Sequence, residues 1–308
     1  MILVSGEALI DFTPTKIDDK NAFIISPGGS PYNVAITLGR LKADVSFFGK
    51  ISEDIFGEIL VSFLKENNVD LRYLVRGKEP TTLAFIVIGP NNEPNFVFYG
   101  DNTADSSLKL EDLPSFSPSE IDLIHFGSIS LIRGSTAFTL EKLMEREKER
   151  ILISLDPNVR PMLISNKQEY IKKLEKWISC SDLVKVSKGD LNWLYPENSI
   201  EDIAKNWLNL GPTLVIVTKG DKGAIAFSKE ESVEVPALEI NVVDTVGAGD
   251  SFMGGFLYWL WKNKKLQKNR FKDLSLSEIK EGLKFATKVA GITCTRIGAN
   301  PPFLEELN

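Results

Sequence analysis

Short apolar runs alternate with amphipathic stretches along most of this chain, and that alternation restricts the fold more than any other feature. Strand-like runs fall at residues 2–4, 45–48, 123–126, 151–155, 183–186 and 214–218. Between them Val34, Ala35, Leu38 and Leu41 recur at helical spacing, as do Phe56, Ile59, Leu60, Phe63 and Leu64, and a further helix is expected over 277–290. The pattern predicts a layered α/β fold with helices covering a mainly parallel sheet. Ser30-Pro31 reads as an N-cap followed by proline at the first helical position. Two segments break the rhythm. Residues 9–14 with 23–26, and 83–88 with 95–99, read as β-ribbons bounded by Pro, Gly and Asn. They predict a small discontinuous sheet, 9–26 and 81–100, set on a main domain of 1–8, 27–80 and 101–308. Phe23, Ile25, Phe96 and Phe98 give its strands apolar faces. Such a sheet must hide one face, so it is expected to cover a site, pair with another subunit, or do both.

Residue scarcity narrows the chemistry. His125 is the only histidine, and Cys180 and Cys294 are the only cysteines. Zinc sites built from several Cys and His ligands are therefore excluded. His125 lies within Leu123-Ile124-His125-Phe126-Gly127, a buried-strand pattern that assigns it to structure rather than to a nucleophilic triad. The cysteines, both in apolar surroundings, are expected as buried thiols. Lys and Arg number 36 against 42 Asp and Glu, a net charge of −6, which disfavours nucleic acid or an anionic membrane as the main partner. The Lys- and Arg-rich stretch 262–272 is expected as a solvated connection between helices. No apolar run approaches the roughly 18 residues of a membrane span, and the opening residues lack the pattern of a signal peptide. Cytoplasmic residence is the expectation. Chemistry is left to carboxylates, Lys or Arg, backbone amides and a hard cation.

The most informative run is Asp244-Thr245-Val246-Gly247-Ala248-Gly249-Asp250, followed by an apolar helix over 251–260. A Gly-Ala-Gly turn opening a helix lets backbone N–H groups converge at the positive end of the helix dipole, which makes an anion site. Asp250 beside such a site repels an anion unless it acts as a base. Read alone, the segment fits two accounts: an anion site with its base, or a capped buried helix whose dipole Asp250 complements. There is no G-x-x-x-x-G-K-[ST], and no G-x-G-x-x-G follows a strand. A dinucleotide-dependent oxidoreductase is disfavoured on that ground.

Residues 244–256, ending Ser251-Phe252-Met253-Gly254-Gly255-Phe256, resemble the C-terminal signature of the ribokinase or PfkB-type carbohydrate kinases. Gly28-Gly29-Ser30-Pro31-Tyr32-Asn33-Val34-Ala35 resembles the N-terminal one. Further matches run through the chain: Gly6-Glu7 with Asp11, Gly127-Ser128, Asp156-Pro157-Asn158-Val159-Arg160, Thr218-Lys219-Gly220 and Gly298-Ala299. Within that family the pattern is most similar to fructokinases. The resemblance implies a ribokinase-like three-layer α/β fold with a β-sheet lid, and ATP-dependent phosphorylation of a sugar hydroxyl with Mg²⁺, and K⁺ as a further cation. Fructose is the implied sugar, ahead of 2-keto-3-deoxygluconate, ribose or a nucleoside. A non-catalytic binding regulator is a different class, and the intact Gly-Ala-Gly-Asp argues against it.

Roles carry over position by position as implications of that resemblance. Asp250 matches the catalytic base, and the amides of Gly247, Ala248 and Gly249 match an anion hole. Asp11, Gly28, Gly29 and Asn33 match sugar-contacting positions; Phe98 on the lid and Arg160 join them. Thr218, Gly220 and Gly223, with Gly247 and Gly249, match the ATP-binding turns. Asp190 stands where the family has the glutamate that organises Mg²⁺ through water. Asp244, Val246, Ile297 and Ala299 match the monovalent-cation loop. A homodimer through the lid is expected from the apolar faces of its strands. At Tyr99-Gly100 this chain departs from the family's Tyr-Arg pair. Gly100 offers only backbone where relatives acting on an acidic sugar carry an arginine, so a neutral hexose is the expected substrate.

Overall fold

The structure, a computed structural model, describes residues 1–88, 94–117, 119–229 and 231–307, with the side chains of 86–88 and 94–96 outside that description. The expected contribution of Phe96 to the lid's apolar face lies outside it, as does the middle of the second ribbon, 89–93.

In chain order the elements are β1 Ile2–Ser5, β2 Leu9–Ile17, β3 Lys20–Gly28, α1 Ser30–Arg40, β4 Val45–Phe48, β5 Lys50–Ser52, α2 Ile55–Glu66, β6 Val75–Gly77, β7 Leu83–Ile88, β8 Pro94–Tyr99, β9 Leu123–Gly127, α3 Gly134–Glu147, β10 Leu152–Asp156, α4 Lys167–Ser179, β11 Leu183–Ser187, α5 Lys188–Leu194, α6 Ile200–Leu210, β12 Leu214–Thr218, β13 Ala224–Phe227, β14 Ser232–Val235, α7 Ala248–Lys262, α8 Lys268–Lys272 and α9 Leu276–Cys294. The main sheet has the order β14-β13-β12-β11-β10-β9-β1-β4. From β12 to β4 neighbouring strands are parallel, while β13 and β14 add on antiparallel.

Strand apolarity on both faces explains the three layers, since a parallel sheet is covered on both sides. Ile2 and Val4 pack with α1, α2, α7 and α9. Leu3, Ile124, Ile153, Val184 and Val215 pack on the other face with α3, α4, α5 and α6. His125 sits fully buried in this sheet, its Nδ1 3.0 Å from Ser154 Oγ, and burial pushes its pKa down to about 3. That is the structural histidine expected from its strand. Cys180 is buried, whereas Cys294 is only half-buried, because the last turn of α9 borders a cavity. In the basic stretch Lys265 pairs with Glu278 and Lys268 with Asp182. Among the described residues no helix is long and apolar enough to cross a membrane.

The lid is a second sheet, β3-β2-β7-β8, built from two excursions that leave the main domain after β1 and before β7. β2 and β3 form a long antiparallel ribbon, and β2 runs parallel to β7. Side chains alternate across it. Asp11, Ala84 and Phe98 share the face turned to the main domain, where Phe98 packs with Leu9, Ala84 and Ile129. Phe12, Phe23, Phe85 and Tyr99 cluster on the opposite face through stacked and edge-on ring contacts.

One local expectation is corrected. Ser30 is the first residue of α1, and Gly29, at φ +108°, is its N-cap. Ser30 cannot cap the helix because its hydroxyl is turned elsewhere, as described next.

Candidate active site

In an open α/β sheet, ligands bind outside the carboxyl ends of the strands, and the motif residues collect there. β10 ends at Asp156, β11 at Ser187 and β12 at Thr218, with α7 starting beside them. Asp250, in the first turn of α7, is 7% exposed. Its Oδ1 accepts hydrogen bonds from Ser30 Oγ at 2.7 Å and from Asn158 Nδ2 at 3.4 Å; its Oδ2 accepts one from Asn33 Nδ2 at 2.9 Å. The carboxylate therefore faces other elements and makes no side-chain cap to its own helix. Three donors from two segments, α1 and the loop after β10, fix its direction.

Gly247 caps α7 in the left-handed region at φ +74°, and a Cβ there would stand 2.6 Å from the Cβ of Ala299. Glycine answers both constraints. Of the three amides expected to hold an anion, that of Ala248 donates to Thr245 O at 3.2 Å. Among the described residues those of Gly247 and Gly249 have no backbone acceptor, as the first turn of any helix leaves them.

Beyond α7 lies a cavity of about 780 Å³. Thr218, Gly220, Gly223, Ala248, Gly249 and Asp190 line it; Gly247 does not. Phe252 of the C-terminal motif lines it too, and so do residues that carried no motif: Leu238, Ala290 and Cys294 form apolar wall, and Lys185 is a buried cation. The apolar wall comes from a loop and from α9, far apart in sequence, so no local pattern marks it. Lys185 did leave a signal, a lone charge inside the apolar run 183–186. Asp190 closes a capping box at the start of α5, accepting from Ser187 N and Oγ, while its other oxygen accepts from Val159 N at 3.2 Å. Asp244 accepts from Val246 N and from Gly298 N, which ties the loop carrying Val246 to the loop carrying Ile297 and Ala299.

The lid side of Asp250 holds the other expected residues. Burial pushes Asp11 up to about 7; Arg160 opposes the shift and Asp250 adds to it. Gly28 lies against the Asp11 carboxylate. A Cβ on Gly29 would stand 2.8 Å from Glu7 O. Glu7, fully buried and raised by that burial to about 7, accepts hydrogen bonds from Ser30 N and Ser130 N at 3.2 Å each. Arg160 Nη1 donates to Asn158 Oδ1 at 2.6 Å. At Gly100 the guanidinium of Arg133 fills the space a side chain would take, donates to Gly100 O and stands 3.7 Å from Asp105. Glu7, Ser30 and Asn158 belong to matched motifs, yet sequence alone gave them no part in holding Asp250 or the turn beside it.

A fixed carboxylate beside the lid, next to a helix start that borders a nucleotide-sized cavity, fits a phosphotransferase acting on a hydroxyl. The comparisons agree. Residues 1–306 match the family model described as pfkB family carbohydrate kinase. A fructokinase of Rhizobium leguminosarum bv. trifolii is 39% identical over 284 residues, 92% of this chain and 86% of the relative. Fructokinase-1 of Oryza sativa subsp. japonica is 34% identical over 317 residues, covering 100% and 95%. A crystal structure of the Xylella fastidiosa fructokinase with bound ATP superposes with a TM-score of 0.92 at 30% identity, covering 99% of this chain and 96% of that one. The chain belongs to the pfkB family of carbohydrate kinases. It is an ATP-dependent sugar kinase with a ribokinase-like fold.

Proposed function

We propose that this kinase is a fructokinase, transferring the γ-phosphoryl group of ATP to the primary hydroxyl of fructose and giving fructose 6-phosphate. The carrying observation is Asp250, held by Ser30, Asn33 and Asn158 where the two sides of the site meet. The similarity to fructokinases supports the sugar, as does the Vibrio cholerae O395 fructokinase, solved with fructose, ADP and calcium ion, at a TM-score of 0.84 and 28% identity.

Asp250 accepts the proton of the attacking hydroxyl. The oxygen–phosphorus bond forms as the bond from the γ-phosphorus to the bridging oxygen breaks, and that electron pair leaves on ADP. The open amides of Gly247 and Gly249 stabilise charge on the transferring oxygens. Asp11 and Asn33 supply acceptors and donors for neighbouring sugar hydroxyls. Phe98 closes the pocket from the lid, and Thr218, Gly220 and Gly223 border the nucleotide.

Among the described residues no cluster of three or more acidic, His or Cys side chains could hold a metal. A divalent ion therefore fits as one carried on the nucleotide phosphates, with Asp190 reaching it through water, and when bound it neutralises phosphate charge. A monovalent ion fits between the loops that Asp244 joins. Neutral sugars are preferred, because Arg133 is committed to Gly100 and Asp105, and Arg160 hydrogen-bonds to Asn158. The outer lid face, with Phe23 48% and Tyr99 65% exposed, is the surface through which two copies pair.

Values of kcat/KM for fructose, ribose, adenosine and 2-keto-3-deoxygluconate test the reading under one condition. Fructose is expected to lead, and a higher value for the acid or for adenosine overturns the assignment.

A further inference from the structure

Lys185 is a buried charge to which the steps above give no task. It lies on β11 and is 3% exposed, on the sheet face that α7 covers. Its Nζ donates to Asp156 Oδ2 at 2.7 Å, and Asp156 is fully buried at the end of β10. Among the described residues that is its one hydrogen bond, which leaves two of the three ammonium donors without a protein acceptor. The ammonium lies beside the start of α7: a Cβ built on Gly249 would be 3.0 Å from Nζ. Lys185 also lines the nucleotide cavity, together with Asn158 and Gly249. Burial works against its charge, but Asp156, Asp250 and Asp190 hold its pKa above the usual lysine value.

Charge balance for Asp156 needs only one salt bridge, and an apolar pair of similar volume would fill the same space without the desolvation of two ions. A buried cation with unused donors beside the opening turn of α7 points to a charged ligand. We propose that Lys185 is a catalytic residue: its ammonium contacts the γ-phosphoryl group of ATP from the side of Gly249 and stabilises the charge that develops during transfer. Lys185 keeps its proton throughout; the hydroxyl proton still goes to Asp250 and the electron pair to ADP. The assignment rests on the kinase reading above, and its test reads the two separately.

The variants are Lys185→Met, Lys185→Arg and the pair Lys185→Met with Asp156→Asn, which leaves no uncompensated buried charge. Turnover with fructose, thermal midpoint, and affinity for ADP and for the non-hydrolysable ATP analogue AMP-PNP are measured on each. Lys185→Met is expected to lower kcat by roughly 10²–10³-fold, as for loss of one transition-state donor, with the KM for fructose changed less than threefold. The double variant is expected to recover the midpoint but not the turnover, and Lys185→Arg to retain part of it. The double variant should also lose about tenfold in affinity for AMP-PNP and little for ADP. Turnover restored in the double variant shows that Lys185 serves only to neutralise Asp156, and overturns the proposal. An unchanged ratio of AMP-PNP to ADP affinity also overturns it, and that reading needs no turnover. ADP release by the parent protein with a sugar panel tests the kinase assignment on its own.

Discussion

Ser30 and Asp250 lie 220 residues apart in the chain, and the Ser30 hydroxyl donates to Asp250 Oδ1 at 2.7 Å. A serine at the start of one helix thus aims the carboxylate at the start of another. Hydrogen bonds to charged groups contribute about 1.5–3 kcal/mol, so Ser30→Ala is expected to lower kcat by roughly 10–100-fold with little change in ATP affinity. Steady-state kinetics with nucleotide titration check it, and unchanged turnover would show that Asn33 and Asn158 suffice.

Asp250→Asn keeps the shape but removes the proton acceptor, and its amide nitrogen no longer accepts from Asn33 Nδ2. Turnover is expected to fall by roughly 10²–10⁴-fold, while ATP binds nearly as before. Near-parental turnover in this variant would remove Asp250 from the role of base.

Fructose binding should depend on pH through Asp11, whose pKa is pushed up to about 7 by burial, with Asp250 adding to the shift. Because the value is raised, the side chain is protonated below that pH and ionised above it. The ionised form accepts more sugar hydroxyls. The kcat/KM for fructose is therefore expected to rise as pH increases through about 7, then level off. Asp11→Asn should flatten that limb and raise KM, and a profile with the same limb in this variant would assign it elsewhere.

Gly29 holds a backbone conformation, φ +108°, that side chains resist, and a Cβ there meets Glu7 O at 2.8 Å. Gly29→Ala is expected to destabilise the fold by about 1–3 kcal/mol and to weaken sugar binding, since the N-terminus of α1 must shift. Urea unfolding followed by circular dichroism measures the first effect. A stability equal to the parent would mean that the turn relaxes freely.

Lid closure is expected to show as slower amide exchange within 9–28 and 83–88 when sugar is saturating, since an open site would let water compete for the phosphoryl group. Exchange unaffected by sugar would make the lid a fixed wall. For pairing, Phe23→Asp with Tyr99→Asp should yield a monomer by analytical ultracentrifugation where the parent sediments as a dimer.

The sequence carried the layers well, because strands buried on both faces leave unbroken apolar runs and their covering helices leave a regular stripe. Asp250 also stood out in the sequence, since a carboxylate next to Gly-Ala-Gly conflicts with an anion site unless it has work to do. Its partners were not. Ser30 looked like an N-cap because local pattern shows a hydroxyl before a proline and cannot show the carboxylate opposite. Lys185 was read as part of a strand, since its meaning depends on Asp156 one strand away and on Gly249 one layer away. The apolar wall of the cavity, from Leu238 to Cys294, carries only ordinary core residues. Gly100 was read as an absence, yet the space beside it is filled by Arg133.

Because both lid ribbons leave the main domain and return to it without contributing a strand to the large sheet, they form a detachable cassette. On the fructokinase reading proposed above, the sugar side belongs to that cassette and the few side chains beneath it, while the residues lining the large cavity all follow Asp156. Exchanging residues 9–28 and 83–99 for those of a relative with another sugar would keep every strand of the large sheet, and of the main core would replace Ile10 with the flanking Phe12 and Leu83. A fold arranged in this way can acquire new acceptors by swapping two short inserts, with its phosphoryl chemistry inherited whole.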